Sequence, residues 1–246
     1  MVGIAKRYKP KGGFVDFYSK ASNKLRELGI ENLNSRPYDC AFSVLNQDKN
    51  EKKLIVVGFN GSNADLEWTN LNSLEHGREN PNESNVLNGV NGAWLSTTLP
   101  KRLFSLPTEL DIPVNSTIYT NAILLCSENA STIKKKAKKV GFFDVNKLIE
   151  KSLDFFEEIT VAESSPELII CYSNSMSDLS ASSILFERFA VSEIKVVNEN
   201  VYYKTFSFMS EIKGLKIPIV CIRHMSRFKP CVDSIKKAWK YQLNCL

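Results

Sequence analysis

The sequence predicts an α/β fold, a single domain with a central, mostly parallel, four-stranded sheet flanked by helices. Three observations lead there. Four short apolar runs, at residues 54–57, 118–125, 168–171 and 217–222, are nearly continuous, as strands covered on both faces are. Segments of helical periodicity stand between and around them, and strands alternating with helices imply crossovers and an open sheet with helices on both faces. At 246 residues the chain is long enough for one sizeable core and sits at the upper end of what one domain holds.

The elements follow in order. From Phe14 to Leu28 the apolar residues Phe14, Phe17, Tyr18, Ala21, Leu25 and Leu28 keep helical spacing, and Gly29 supplies a stop. The run Leu54-Ile55-Val56-Val57 is the first strand. Residues 63 to 88, rich in Asn, Glu and Ser, read as a long excursion over the surface. Ile118 to Leu125 is the second strand. A helix is written in Val145, Leu148, Ile149, Leu153, Phe156 and Ile159, and Leu168-Ile169-Ile170-Cys171 is the third strand. Another helix runs from about Ser177 to Ala190, and Ile217 to Ile222 forms the fourth strand. The last helix begins near Pro230, where proline suits a first turn, and is expected to bury Val232, Ile235, Trp239 and Leu243.

The hydrophobic fraction of 43% and charged fraction of 24% exclude disordered, collagen-like and membrane-bundle classes. No apolar run approaches the roughly 20 residues a spanning helix needs, and the N-terminus lacks the continuous apolar segment of a secretory signal. The expectation is an intracellular protein, cytoplasmic or nuclear, monomeric and away from membranes. Six cysteines are scattered with no CxxC pair, so reduced structural thiols are expected, with no metal and no cofactor. The formal net charge of +5 is compatible with a polyanionic partner. Its distribution adds a dense block, Lys134, Lys135, Lys136, Lys138 and Lys139, which reads as a solvated helix face or as a track for a phosphate backbone.

In open α/β sheets ligands bind outside the carboxyl ends of the strands, so the residues after each apolar run carry the information. The first run is followed by Gly58-Phe59-Asn60-Gly61-Ser62-Asn63 and the second contains Thr120-Asn121. The third is followed by Tyr172-Ser173-Asn174-Ser175, and the fourth by Arg223-His224-Met225-Ser226-Arg227-Phe228. Amides, hydroxyls and one imidazole suit hydrogen-bond reading of a neutral polar ring, and the carboxylate cluster of a magnesium site is lacking. Neither GxGxxG nor GxxxxGK[ST] is present, which leaves nucleotide hydrolysis unsupported.

On those residues the chain resembles the uracil-DNA glycosylase superfamily. VVGFNGSN is similar to its first motif, most nearly the variant G-M-N-P-G, and HMSRF to its second, H-P-S, over about residues 54 to 228. Between them IYTNAILLC resembles the strand whose Asn reads the base. The resemblance implies that Asn60 orients the attacking water, that Asn121 reads the base edge, and that His224 hydrogen-bonds the carbonyl oxygen of the departing base. It places Ser62, Ser226 and Arg227 against DNA; separately, the charge block makes Lys134, Lys135 and Lys136 expected backbone contacts. Phe59, Trp68 and Trp94 are candidates for the aromatic that stacks on the base, Phe59 being the nearest to the motif. Gly61 and Met225 stand where the family usually places proline. No iron–sulfur cluster is expected, since only Cys40 and Cys126 stand near the positions such branches use.

The resemblance implies hydrolysis of the N-glycosidic bond of a flipped-out uracil or other deaminated base in DNA. A nucleic-acid-binding relative without catalysis is the first alternative. The second is a hydrolase with Ser175, Ser62 or Cys171 as nucleophile and His224 as base, although no G-x-S-x-G elbow is present.

Overall fold

The computed structural model describes residues 17–35, 38, 53–61, 68–79 and 97–245. Among them six strands form one sheet: β1 (Leu54–Asn60), β2 (Thr117–Ile123), β3 (Leu168–Cys171), β4 (Lys195–Asn198), β5 (Thr205–Ile212) and β6 (Leu215–Ile222). The described helices are α1 (Phe17–Leu28), α2 (Asn70–Glu79), α3 (Thr98–Glu109), α4 (Ala130–Lys139), α5 (Val145–Phe155), α6 (Ala181–Phe189) and α7 (Val232–Leu243).

The strand order is β2-β1-β3-β6-β5-β4. The four expected strands are neighbours and parallel: β1 pairs with β2 on one side and β3 on the other, and β3 pairs with β6. The sheet as a whole is six-stranded and mixed, which corrects the expected four-stranded sheet, because β5 and β4 add antiparallel strands beyond β6. The cause is local. Lys213 and Gly214 both take positive φ, 52° and 77°, the backbone of a two-residue turn whose twist suits a hairpin, and it folds β5 back along β6. Pro218 is tolerated inside β6 because the pairing with β3 begins only at Ile219.

Alternation along the strands sorts the apolar side chains onto two faces. One face carries Ile55, Val57, Phe59, Ile118, Ile169, Cys171, Ile219 and Cys221, packed with residues of α1, α4, α5 and α6. The other carries Leu54, Val56, Tyr119, Leu168, Ile170, Val220 and Ile222 under Leu103 and Leu106 of α3 and Ile235 and Ala238 of α7. The sheet is therefore covered on both sides, as the near-continuous apolar runs require.

Several boundaries differ from expectation. The N-terminal helix is described from Phe17, its expected start at Phe14 lying outside the described residues. The polar stretch after residue 63 contains α2, whose Asn70 is fully buried and donates to the carbonyls of Ile30 and Leu124, at 2.8 and 3.2 Å. The donor side of a buried amide can anchor a helix that hydrophobic periodicity does not announce, although Asn70 Oδ1 meets no hydrogen-bond partner among the described residues. The helix written across residues 145–159 is α5 followed by a wider turn of π-helix from Phe156 to Val161. Helix α6 starts at Ala181 rather than Ser177 because Ser180 and Ser183 form a reciprocal capping box. In α7 Ala238 and Gln242 are buried and Leu243 is 46% exposed, so the buried stripe differs there from the one expected. No helix among the described residues is long and apolar enough to cross a membrane.

Candidate functional site

The chain leaves β1 toward β2 on one side and later places β3 on the other, so the strand order reverses at β1. The crevice above the ends of β1 and β3 is the place where open α/β sheets hold ligands. Gly58 stands at its floor, in register with Asn121 of β2 and one residue beyond the Val57–Cys171 pair.

Gly58 has no room for a side chain. A Cβ there would collide with the Tyr172 hydroxyl and come within 2.6 Å of Asn121 Oδ1. Both side chains thus lean over the glycine from the strands on either side. The same alternation that puts Leu54 and Val56 on the α3–α7 face carries Gly58, Asn121 and Tyr172 onto that face. The Tyr172 ring in turn meets the His224 ring edge-on, with centroids 5.3 Å apart. An amide, a phenol and an imidazole form one row across four parallel strands. Tyr172 stands in the sequence among the residues after the third run but carried no assigned role, although the alternation Leu168, Ile170, Tyr172 places it on the correct face.

His224 is held by its own loop. The Ser226 backbone N–H donates to Nδ1 at 3.3 Å, and Ser226 Oγ lies 2.7 Å from the same nitrogen. This pattern assigns Nδ1 as an acceptor and leaves the neutral ring's proton on Nε2, a free donor. Loss of solvent on the packed side of the ring lowers the pKa, and the Arg227 guanidinium lowers it further, so the neutral form prevails at pH 7. Met225, fully buried in the second core, anchors the loop where the resemblance expects proline, and Arg102 of α3 donates to its carbonyl at 2.7 Å.

The β1 exit is built differently. Asn60 Nδ2 donates to Ser127 Oγ at 2.7 Å and lies 3.3 and 3.4 Å from the carbonyls of Ser127 and Leu125. Ser127 Oγ passes the chain on to the Asn129 carbonyl, and the Ser127 N–H donates to the Gly61 carbonyl at 3.0 Å. Gly61 is a glycine because Cys126 Sγ stands 2.6 Å from where its Cβ would be. Asn60 therefore spends its donors on the loop after β2 and keeps Oδ1 as its remaining polar atom.

The other expected residues fall elsewhere. Phe59 points to the opposite face, buried in the core cluster on that side, where it cannot stack on a ligand held by Asn121. Trp68 stands edge-on to His76, with ring centroids 4.9 Å apart. Ser62, Trp94 and Cys40 lie outside the described residues. Ser226 and Arg227 are exposed beside His224. Lys134, Lys135 and Lys136 ride on α4, whose buried Ile133 and Ala137 pack on the face opposite the crevice, so the fold does not bring this block to it.

The serine or cysteine hydrolase alternative finds no support in this geometry. Cys171 is fully buried on the far face, beside Cys221, and burial pushes its thiol pKa up, away from the thiolate a nucleophile needs. Ser175 Oγ is paired with Asp178 at 3.0 Å rather than with His224. Cys171, Cys221, Cys231 and Cys245 are free thiols. No family model matches the chain, and neither a curated protein nor a solved structure does.

Proposed function

We propose that the chain is a DNA glycosylase-like protein of the uracil-DNA glycosylase superfamily fold, hydrolysing the N-glycosidic bond of a flipped-out uracil or other deaminated base. The observation that carries this reading is Asn121 and Tyr172 leaning over Gly58 at the strand-order reversal, with His224 against the Tyr172 ring. As the bond breaks, negative charge grows on the base and positive charge on the sugar. A preorganised donor at the base oxygen stabilises the first, and His224 Nε2–H is such a donor without needing to be charged. The Asn121 carboxamide offers both a donor and an acceptor, as the edge of a pyrimidine requires. Asn60 Oδ1 is the atom left to hold the attacking water, and an oxocarbenium-like sugar asks little of its nucleophile.

One observation favours the second reading, a binder without catalysis. Tyr172 fills the space over Gly58 that a base approaching Asn121 would enter, so catalysis requires that ring to swing aside or to form one wall of the pocket. The deciding measurement is base release from oligonucleotides carrying uracil, hypoxanthine or xanthine, with Asn121→Ala and His224→Ala as controls. Release by the wild type that drops in both variants supports the enzyme. Binding of DNA with no release from any of the three supports the binder.

A further inference from the structure

The loop joining β4 to β5 and the loop after β6 meet beside the His224 turn and form a small cleft lined by Tyr202, Tyr203, Lys204, Arg223 and Lys229, among others. Its aromatic side chains are unusually open. Tyr202 is 62% exposed and Tyr203 44% exposed, on a loop already ordered by two successive Asn turns: the Asn200 N–H donates to Asn198 Oδ1 at 3.0 Å and the Tyr202 N–H to Asn200 Oδ1 at 2.9 Å. The Arg223 guanidinium carbon lies 4.0 Å from the centroid of the Phe228 ring, and that ring faces Tyr202 at 6.4 Å. Three of the lining residues are cations and none is a carboxylate; Glu199 flanks the loop from outside the lining. The loop is fastened to the crevice rim, since Asn174, two residues past Tyr172, donates to the Lys204 carbonyl at 2.9 Å.

We infer that this surface is a platform for single-stranded nucleic acid, with Tyr202 and Tyr203 stacking on bases and Lys204, Arg223 and Lys229 following the phosphates toward His224. Exposed aromatic side chains gain from stacking on a flat partner, and three cations in a lining that holds no carboxylate favour a polyanion. Unpaired bases on a phosphate chain satisfy both demands, whereas a duplex keeps its bases stacked on one another and out of reach. The inference rests on the proposed function for the class of ligand and adds the state of the strand and the surface that receives it. The resemblance assigned no role to residues 198 to 204.

The test uses fluorescence anisotropy of the full chain with a labelled, undamaged oligonucleotide of about 12 nucleotides, within the usual span of such a site, and with its duplex. The single strand is expected to bind more tightly. Tyr202→Ala and Tyr203→Ala, both at exposed positions, should each weaken single-strand binding roughly 5- to 100-fold, the range for losing one base–aromatic stack, with little change for the duplex. Lys204→Ala and Lys229→Ala should each lower the slope of log affinity against log salt by about 0.7. Equal or tighter binding of the duplex, or unchanged single-strand binding by both tyrosine variants, overturns the platform. So does competition by polyglutamate as strong as that by the oligonucleotide, which would assign the surface to an acidic peptide. Because the probe carries no damaged base, the two readings fail separately. Base release by a wild type whose tyrosine variants bind normally removes the platform alone, and stacking without base release removes the glycosylase alone.

Discussion

The exits of β1 and β3 lie side by side and both end in neutral polar residues, yet they are built for different tasks. After β1, Asn60 is knotted to Ser127, Gly61 is pressed by Cys126, and the chain is fixed by a run of short bonds within itself. After β3 and the neighbouring β6, Tyr172 and His224 touch by their rings, and His224 keeps one nitrogen free toward solvent. The difference lies in what the polar atoms have already spent. An amide whose donors are consumed by the protein serves as a strut that offers a ligand only its acceptor, whereas a donor left unpaired at a crevice is itself available to a ligand.

The largest effect that tests this contrast is on rate. His224→Ala should lower base release about 10²–10³-fold, as removal of a single preorganised donor does, with DNA affinity little changed. Ser127→Ala, which removes the shortest of the bonds that Asn60 donates, should instead cost about 0.5–1.5 kcal/mol of stability, read by denaturant unfolding. A rate loss from Ser127→Ala comparable to that of His224→Ala, in a protein of unchanged stability, would break the distinction between strut and free donor.

The two glycines give a smaller and purely structural test. Gly58→Ala meets an oxygen on each side and should destabilise by about 1–3 kcal/mol, as overpacking does. Gly61→Ala meets only the movable Cys126 thiol and should cost less. Combining Gly58→Ala with Tyr172→Ala should recover part of the loss, a non-additivity measurable in a double-mutant cycle. Full additivity would mean that Tyr172 does not stand over Gly58.

The smallest effect concerns protons. By NMR titration His224 should have a pKa below the ordinary 6.5, and Arg227→Ala should move it upward. The sign for stability follows. With the folded pKa depressed, the unfolded chain binds more protons as pH falls below about 6.5, so stability is lost as the pH drops from there through the folded pKa. His224→Asn should flatten that part of the profile, and an unchanged profile would place the imidazole free in water.

Much of the fold was legible because it is written in local patterns. Val56, Tyr119, Ile170 and Val220 belong to apolar runs, and such runs declare buried strands wherever they occur. Strands β4 and β5 were harder. Ser207 and Ser210 interrupt the apolar pattern of β5, and they are buried because Ser207 accepts from Gln242 of α7 and Ser210 donates to the Ile217 carbonyl. Lys213-Gly214 was the signal of that hairpin. At the site, Phe59 as a stacking residue runs against an alternation the sequence itself displays, since a residue between Gly58 and Asn60 on a strand faces away from both.

The sequence by itself determined that the four apolar runs become strands, the alternation of faces along them, and that amides, hydroxyls and an imidazole stand at their ends. Those properties depend on spacing within a few residues. Only the tertiary structure decided that Asn60 would be spent on Ser127, that Gly58 would lie beneath Asn121 and Tyr172, and that the Lys134 block would face away from the crevice. Each of these depends on strand order and register between segments far apart in the chain, and a hydrogen bond or a steric contact exists only once that register has brought its two partners together.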